Sequence, residues 1–174
     1  ASPNWYKNND VTCYITGGTL NCSSVTVGTS GRNGWYYQSG GSVKQTSECN
    51  IGKTGAGYFE VSGGMMECTN GLKIGPAGTV YLKKEAIIKI NGGGFRVDPG
   101  GTLKIELGSL TDYTKLCNDT DGISTSRVFI SAPSTLDVAL IGGYTPSVGD
   151  EWKLMQVTTT NRKMYGNFST VTSG

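Results

Sequence analysis

A period of 23 runs through the first hundred positions and restricts the fold more than any other feature. Gly17-Gly18 recurs as Gly40-Gly41 and again as Gly63-Gly64, both at that spacing. A second marker, apolar-x-apolar followed by glycine, appears as Val25-Thr26-Val27-Gly28, Cys49-Asn50-Ile51-Gly52 and Leu72-Lys73-Ile74-Gly75. Phe95-Arg96-Val97-Asp98 is a fourth copy with Asp replacing Gly, and the steps are 24, 23 and 23. Pro76-Ala77-Gly78-Thr79 returns one period later as Pro99-Gly100-Gly101-Thr102. In this register Cys13, Tyr36, Phe59 and Leu82 form one column, and Leu20, Val43 and Met66 form another.

Each repeat holds about three short runs of alternating residues between glycine turns, and no run is long enough to stand alone. Stacking equivalent coils pairs their backbones and buries one continuous core. The expected fold is all-β: a short parallel β-helix (a β-solenoid of about 23 residues per coil) over residues 11–107. Glycine then sits where the chain turns sharply or takes positive φ. The alternative, an antiparallel sandwich, requires three independent markers to share one period by chance.

Two stretches depart from the repeat. Tyr81 to Ile90 lacks the Gly-Gly pair, and Leu103 to Leu107 opens a fifth coil before the pattern fades. Residues 108–174 are expected to form a β-rich C-terminal extension or cap, with a polar loop over 112–126. Its expected strands are Arg127 to Ile130, Thr135 to Leu140 and Glu151 to Val157. Residues 1–10 also fall outside the repeat; they are either a simple cap or a strand lent to a neighbouring subunit.

Composition excludes several classes of function. No window sustains a 3.6-residue apolar period, so almost no helix is expected. The 15 basic and 13 acidic residues leave a net charge of +2, too weak and scattered for a nucleic-acid partner. No run of 18 apolar residues exists, so no membrane-spanning helix is expected. Histidine is absent, which removes Ser-His-Asp and Cys-His catalysis and the usual Cys/His zinc sites. Phosphate-cradling glycine motifs are missing. The carboxylates Glu60, Glu67, Glu85 and Asp98 are dispersed rather than clustered as a β-helical polysaccharide lyase needs. The chain is therefore expected to be neither an enzyme nor a cofactor protein. Asn118-Asp119-Thr120-Asp121-Gly122 offers a calcium candidate in Asp119 and Asp121, with an Asx-rich turn as the alternative.

Export is expected from the start Ala1-Ser2-Pro3, which suits a chain left by signal-peptide cleavage, and from five cysteines without a CxxC. Cys13 and Cys22 flank Gly17-Gly18, so a bend there would join them; Cys49 and Cys68 are candidates for a link between adjacent coils. Cys22 and Cys68 lie two coils apart, roughly 9–10 Å at strand spacing, beyond disulfide reach. Cys117 is then unpaired or intermolecular. Trp5, Tyr6, Trp35 and Tyr37 form a candidate interaction surface for a subunit or a glycan, while Tyr36 falls in a core column. Asn21-Cys22-Ser23, Asn118-Asp119-Thr120 and Asn167-Phe168-Ser169 fit the N-glycosylation pattern.

The order Tyr37-Gln38-Ser39-Gly40-Gly41-Ser42-Val43, Cys49-Asn50-Ile51-Gly52, then Gly55 to Gly64 resembles the GxxxxSGGxL…LxIG repeats of large exported bacterial proteins. These include autotransporter-like passenger domains and surface proteins of planctomycetes and related bacteria. Leu136 to Leu154, containing Gly142-Gly143-Tyr144-Thr145-Pro146 and Gly149-Asp150, resembles the GGYTPxxGDxFxLL segment that ends such arrays, and Gly166-Asn167-Phe168 the GxF strand after it. The likeness covers roughly residues 11–102 and 134–171. It implies an exported β-solenoid with a structural or adhesive role. The expected function is a structural subunit of an extracellular filament, matrix or surface layer, with copies of itself as partners. The alternative is a surface adhesin or carbohydrate-binding module.

Overall fold

A computed structural model of the chain describes residues 10–90, 92–116, 127–155 and 163–173. The first coil is β1 (Val11–Ile15), β2 (Thr19–Cys22) and β3 (Thr26–Val27); the second is β4 (Gly34–Gln38), β5 (Ser42–Gln45) and β6 (Cys49–Ile51). The third is β7 (Gly57–Val61), β8 (Met65–Cys68) and β9 (Leu72–Ile74), and the fourth β10 (Gly78–Leu82), β11 (Ile87–Ile90) and β12 (Phe95–Val97). Then follow β13 (Thr102–Leu107), β14 (Arg127–Ile130), β15 (Thr135–Leu140), β16 (Lys163–Tyr165) and β17 (Thr170–Ser173). There is no helix among the described residues.

Equivalent strands stack into three parallel sheets. The first runs β1-β4-β7-β10-β13-β15-β17, the second β2-β5-β8-β11, and the third β3-β6-β9-β12-β14-β16. The parallel β-solenoid expected from the repeat period is the observed fold. Alternation along each strand sends one set of side chains inward. Phe59, Val61, Met66, Cys68, Leu72 and Ile74 of the third coil are all fully buried. Tyr36 and Phe59, on successive rungs, stack with ring centroids 4.5 Å apart.

One column differs from expectation. Cys13, Tyr36 and Phe59 are followed by Val80, whereas Leu82 follows Val61. The step from Phe59 to Val80 falls short of the period because the turn leaving β9 is two residues shorter than the turn leaving β6. The column Leu20, Val43, Met66 is as expected and continues to Ile88.

The segment after Gly108 does not fold apart from the solenoid. β14 to β17 extend the first and third sheets. Among the described residues the second sheet stops at β11, and residues 108–116 and 141–155 lie between the strands of the first and third sheets instead. Leu116 donates its N–H to Leu154 O at 2.9 Å, and Trp152 Nε1 donates to Ser109 O at 3.1 Å. The strand expected over Glu151 to Val157 is not formed over residues 151–155, because the backbone bond from Leu116 to Leu154 does not extend into a ladder among the described residues; Trp152, Leu154 and Met155 instead pack onto the core. Gly166-Asn167-Phe168 is likewise the connection between β16 and β17 rather than a strand.

The Gly-Gly pairs turn the chain from the first sheet into the second. Gly18, Gly41 and Gly64 take φ of +77°, +73° and +76°, the left-handed region that disfavours side chains. A Cβ on Gly64 would also sit 2.4 Å from Gly41 O of the coil beside it, while nothing lies within 4 Å of one on Gly17. Left-handed strain costs on the order of 1–3 kcal/mol. Gly64→Ala is therefore expected to lower unfolding stability by at least that much in urea titration, with Gly17→Ala nearly neutral; equal effects would show that stacking does not require the glycine.

Candidate functional site

Three places on the solenoid carry chemistry beyond packing: the outer face of the first sheet, an interior corner rich in thiols, and the two outermost coils.

Outward positions of the first sheet form two columns. One reads Thr12, Trp35, Tyr58, Thr79, Thr102, Thr135, Thr170. The other reads Tyr14, Tyr37, Glu60, Tyr81, Lys104, Asp137, Thr172. Trp35 and Tyr37 are half-buried here and Tyr36 faces the core. Tyr14, Tyr58 and Tyr81 belong to the same surface, and sequence reasoning misses them. Tyr14 lies one repeat period before Tyr37 and is legible by that spacing; Tyr58 joins Trp35's column, not Tyr37's. Tyr14 and Tyr37 stack at 5.2 Å and 14°, and Tyr37 and Tyr58 lie 5.7 Å apart. Tyr14, on the edge strand, remains 70% exposed.

Charges on this face are matched. Tyr58 donates to Glu60 at 2.9 Å and Tyr81 to Glu106 at 2.8 Å; burial, then these carboxylates, push both phenols up. Lys83 meets Glu60 at 3.1 Å, Lys104 meets Asp137 at 2.8 Å, and both lysines lie 5.4 Å from the Tyr81 ring centre. On the third sheet Asp98, standing where other repeats have glycine, binds both Lys73 and Arg96. That substitution neutralises two cations on adjacent rungs. No three ligating side chains converge on a metal-sized site among the described residues. No helix of the described chain is long and apolar enough to cross a membrane. Asp119, Asp121, Cys117, Trp5 and Tyr6 lie outside the described residues. Asn21 and Asn167 are exposed.

Cys13, Cys22, Cys49 and Cys68 are free thiols, so neither expected disulfide is present as a bond. Cys13 is exposed and Cys22 half-buried, both lining a hollow of about 440 Å³ at the first coil. Cys49 and Cys68 are fully buried on adjacent coils, and Cys49 N donates to Gly71 O, three residues beyond Cys68, at 2.9 Å. The neighbouring Cys68 thiol, with burial, holds the Cys49 thiol well above its ordinary range.

Inward positions at both outermost coils are uncovered. Val11, in the inward register of β1, is 63% exposed, and Leu20 of β2 is 41%. At the far end Val171 is 67% exposed and Met164 49%, although both continue inward columns. A second hollow of about 440 Å³ lies there, lined by Leu136, Val138, Trp152, Leu154 and Val171. No family model, curated protein or solved structure matches the chain.

The Lys104–Asp137 pair gives a pH signature. The hydrogen bond from Lys104 holds the Asp137 carboxyl below its ordinary 3.8. Its stabilisation is present above that value and is lost as pH falls through the lower folded value. The pair is about a quarter to a third exposed, so its worth is under about 1 kcal/mol. Asp137→Asn is expected to be slightly less stable than wild type at neutral pH, and the gap should close below about pH 3.8 in parallel denaturation series.

Proposed function

We propose that this chain is a structural subunit of an extracellular filament, matrix or surface layer, and that it assembles through the ends of its solenoid. The observation carrying the proposal is the uncovered apolar register at Val11 and Leu20 on one side and Val171 and Met164 on the other. An unpaired strand edge with apolar inward residues recruits another strand. Every strand pairing in the three sheets is parallel, so a copy displaced along the axis presents an edge of matching direction. Such a contact is heterologous and propagates unless it closes into a ring. Export and a surface location are supported by the resemblance of the Gly-Gly repeats to exported bacterial solenoids.

A carbohydrate-binding or adhesive role is the second reading, favoured by Trp35, Tyr37, Tyr58 and Tyr81 on one flat face. The stacking of Tyr14 on Tyr37 takes the two ring faces between them away from a sugar.

Electron microscopy of the purified chain at neutral pH is expected to show filaments with one subunit per axial repeat. Val171→Lys and Val11→Lys change residues already exposed, so they should leave the fold intact and abolish filaments. Monodisperse wild-type chain at high concentration would overturn the proposal and direct attention to a glycan array with Trp35→Ala as control. Removing residues 1–10 tests strand exchange: it should prevent assembly without unfolding the solenoid.

A further inference from the structure

The corner between the second and third sheets repeats in every regular coil. On its second-sheet side the inward column reads Cys22, Gln45, Cys68, Ile90. On its third-sheet side the column reads Cys49, Leu72, Phe95. Thiols from the first, second and third coils are thereby gathered at one corner. Cys49 stands between the coils of the other two; it pairs with Leu72, and its N–H donates to Gly71 O at 2.9 Å, three residues beyond Cys68, so the Cys49 and Cys68 thiols enter the same corner from adjacent coils. Neither side chain has any exposed surface. Cys22 directs its thiol to Lys44 O at 3.9 Å. Cys22 and Cys68 are two rungs apart, roughly 9–10 Å between Cα atoms, which no disulfide spans.

We propose that Cys49 and Cys68 are an oxidisable pair that closes into a disulfide between the second and third coils, an internal staple sealed by the corner that surrounds it. The step balances with a small disulfide such as oxidised glutathione. The thiolate of one cysteine attacks it, forming a mixed disulfide and releasing one glutathione thiol. The second cysteine thiolate attacks the protein sulfur of that mixed disulfide, and the second glutathione leaves as thiol. Exchange needs a thiolate and access to the sulfur. The folded corner denies both, so closure belongs to folding, before the third coil docks. The same burial then protects the finished bond from reductant. A chain folded under reducing conditions keeps both thiols, and a chain folded under oxidising conditions keeps the staple. The proposal does not depend on end-to-end assembly.

The digest that tests it follows from the sequence. Trypsin cuts after Lys44, Lys53 and Lys73, placing Cys49 on peptide 45–53 and Cys68 on peptide 54–73, while Cys13 and Cys22 share peptide 8–32. The full chain is refolded in a mixture of oxidised and reduced glutathione, unfolded in urea with an alkylating agent, and digested without reduction. The expected product is 45–53 joined to 54–73, two hydrogens lighter than the sum of the two. Recovery of both peptides separately alkylated would overturn the proposal, as would Cys49 joined to peptide 8–32. Cys22→Ala should yield the same linked product in the same amount; its loss would mean the bond is made through Cys22 and not by direct closure. The oxidised chain should also resist dithiothreitol until urea is added. Equal reduction rates with and without urea would remove the sealing part of the proposal.

Discussion

The backbone ladder between coils is the interaction on which the rest of this structure depends, and it continues through the corners. Ser39 N donates to Ile15 O, Ser62 N to Gln38 O and Lys83 N to Val61 O at 2.8–3.0 Å, one bond per coil at the same place. At the next position Ser42 N, Met65 N and Ile87 N donate to Gly18 O, Gly41 O and Gly64 O. A turn that keeps its rung-to-rung bonds leaves few orphaned polar groups, so coils can press together without water between them. That close approach is why a side chain is excluded at Gly64. In the fourth coil Lys83 to Ala86 makes the turn without Gly-Gly, closed by Ala86 N donating to Lys83 O at 3.0 Å.

Once the rungs are registered, the interior becomes a set of columns, and like residues meet by necessity. Tyr36 lies on Phe59. Its hydroxyl donates to Gln38 at 2.9 Å, and Gln38 donates onward to Met65 O at 3.0 Å, so the buried amide is satisfied within two coils. The thiol corner obeys the same geometry. Cys49 and Cys68 are well separated in sequence and meet because one coil's third sheet begins where the next coil's second sheet ends. The outer face follows the same rule with different chemistry, setting tyrosines beside the ion pairs Lys83–Glu60 and Lys104–Asp137.

A solenoid lengthens without changing its cross-section, so its ends are the places where the logic of stacking is unfinished. Inward residues such as Val11 and Val171 have the character of core residues and the exposure of surface ones. Polymerisation, a covering cap and further coils of one chain are all physical remedies, and the proposal of a structural subunit takes the first. The interrupted second sheet is different: there Trp152, Leu154 and Leu116 cover the gap from within the chain, with Tyr144 packed edge-on to Trp152.

Much of this is legible without coordinates. Repeating glycines and apolar-x-apolar-Gly motifs carry the coil length, the strand positions β3, β6, β9 and β12, and the inward register, because backbone conformation and side-chain alternation are local properties. What local pattern does not carry is anything set by neighbours one coil away. Sequence spacing puts Leu82 in the column that belongs to Val80, since a two-residue change of turn length shifts every later pairing in that sheet. Glu151 to Met155 alternates like a strand and yet is not one, because strand formation needs a free edge in register. The stacking of Tyr14 on Tyr37 and the meeting of Cys49 with Cys68 are likewise decided by tertiary structure. The sequence by itself determined that the chain would coil and which residues would face inward; only the stacked structure decided which residues touch, because contact in a solenoid depends on the summed length of every turn between them.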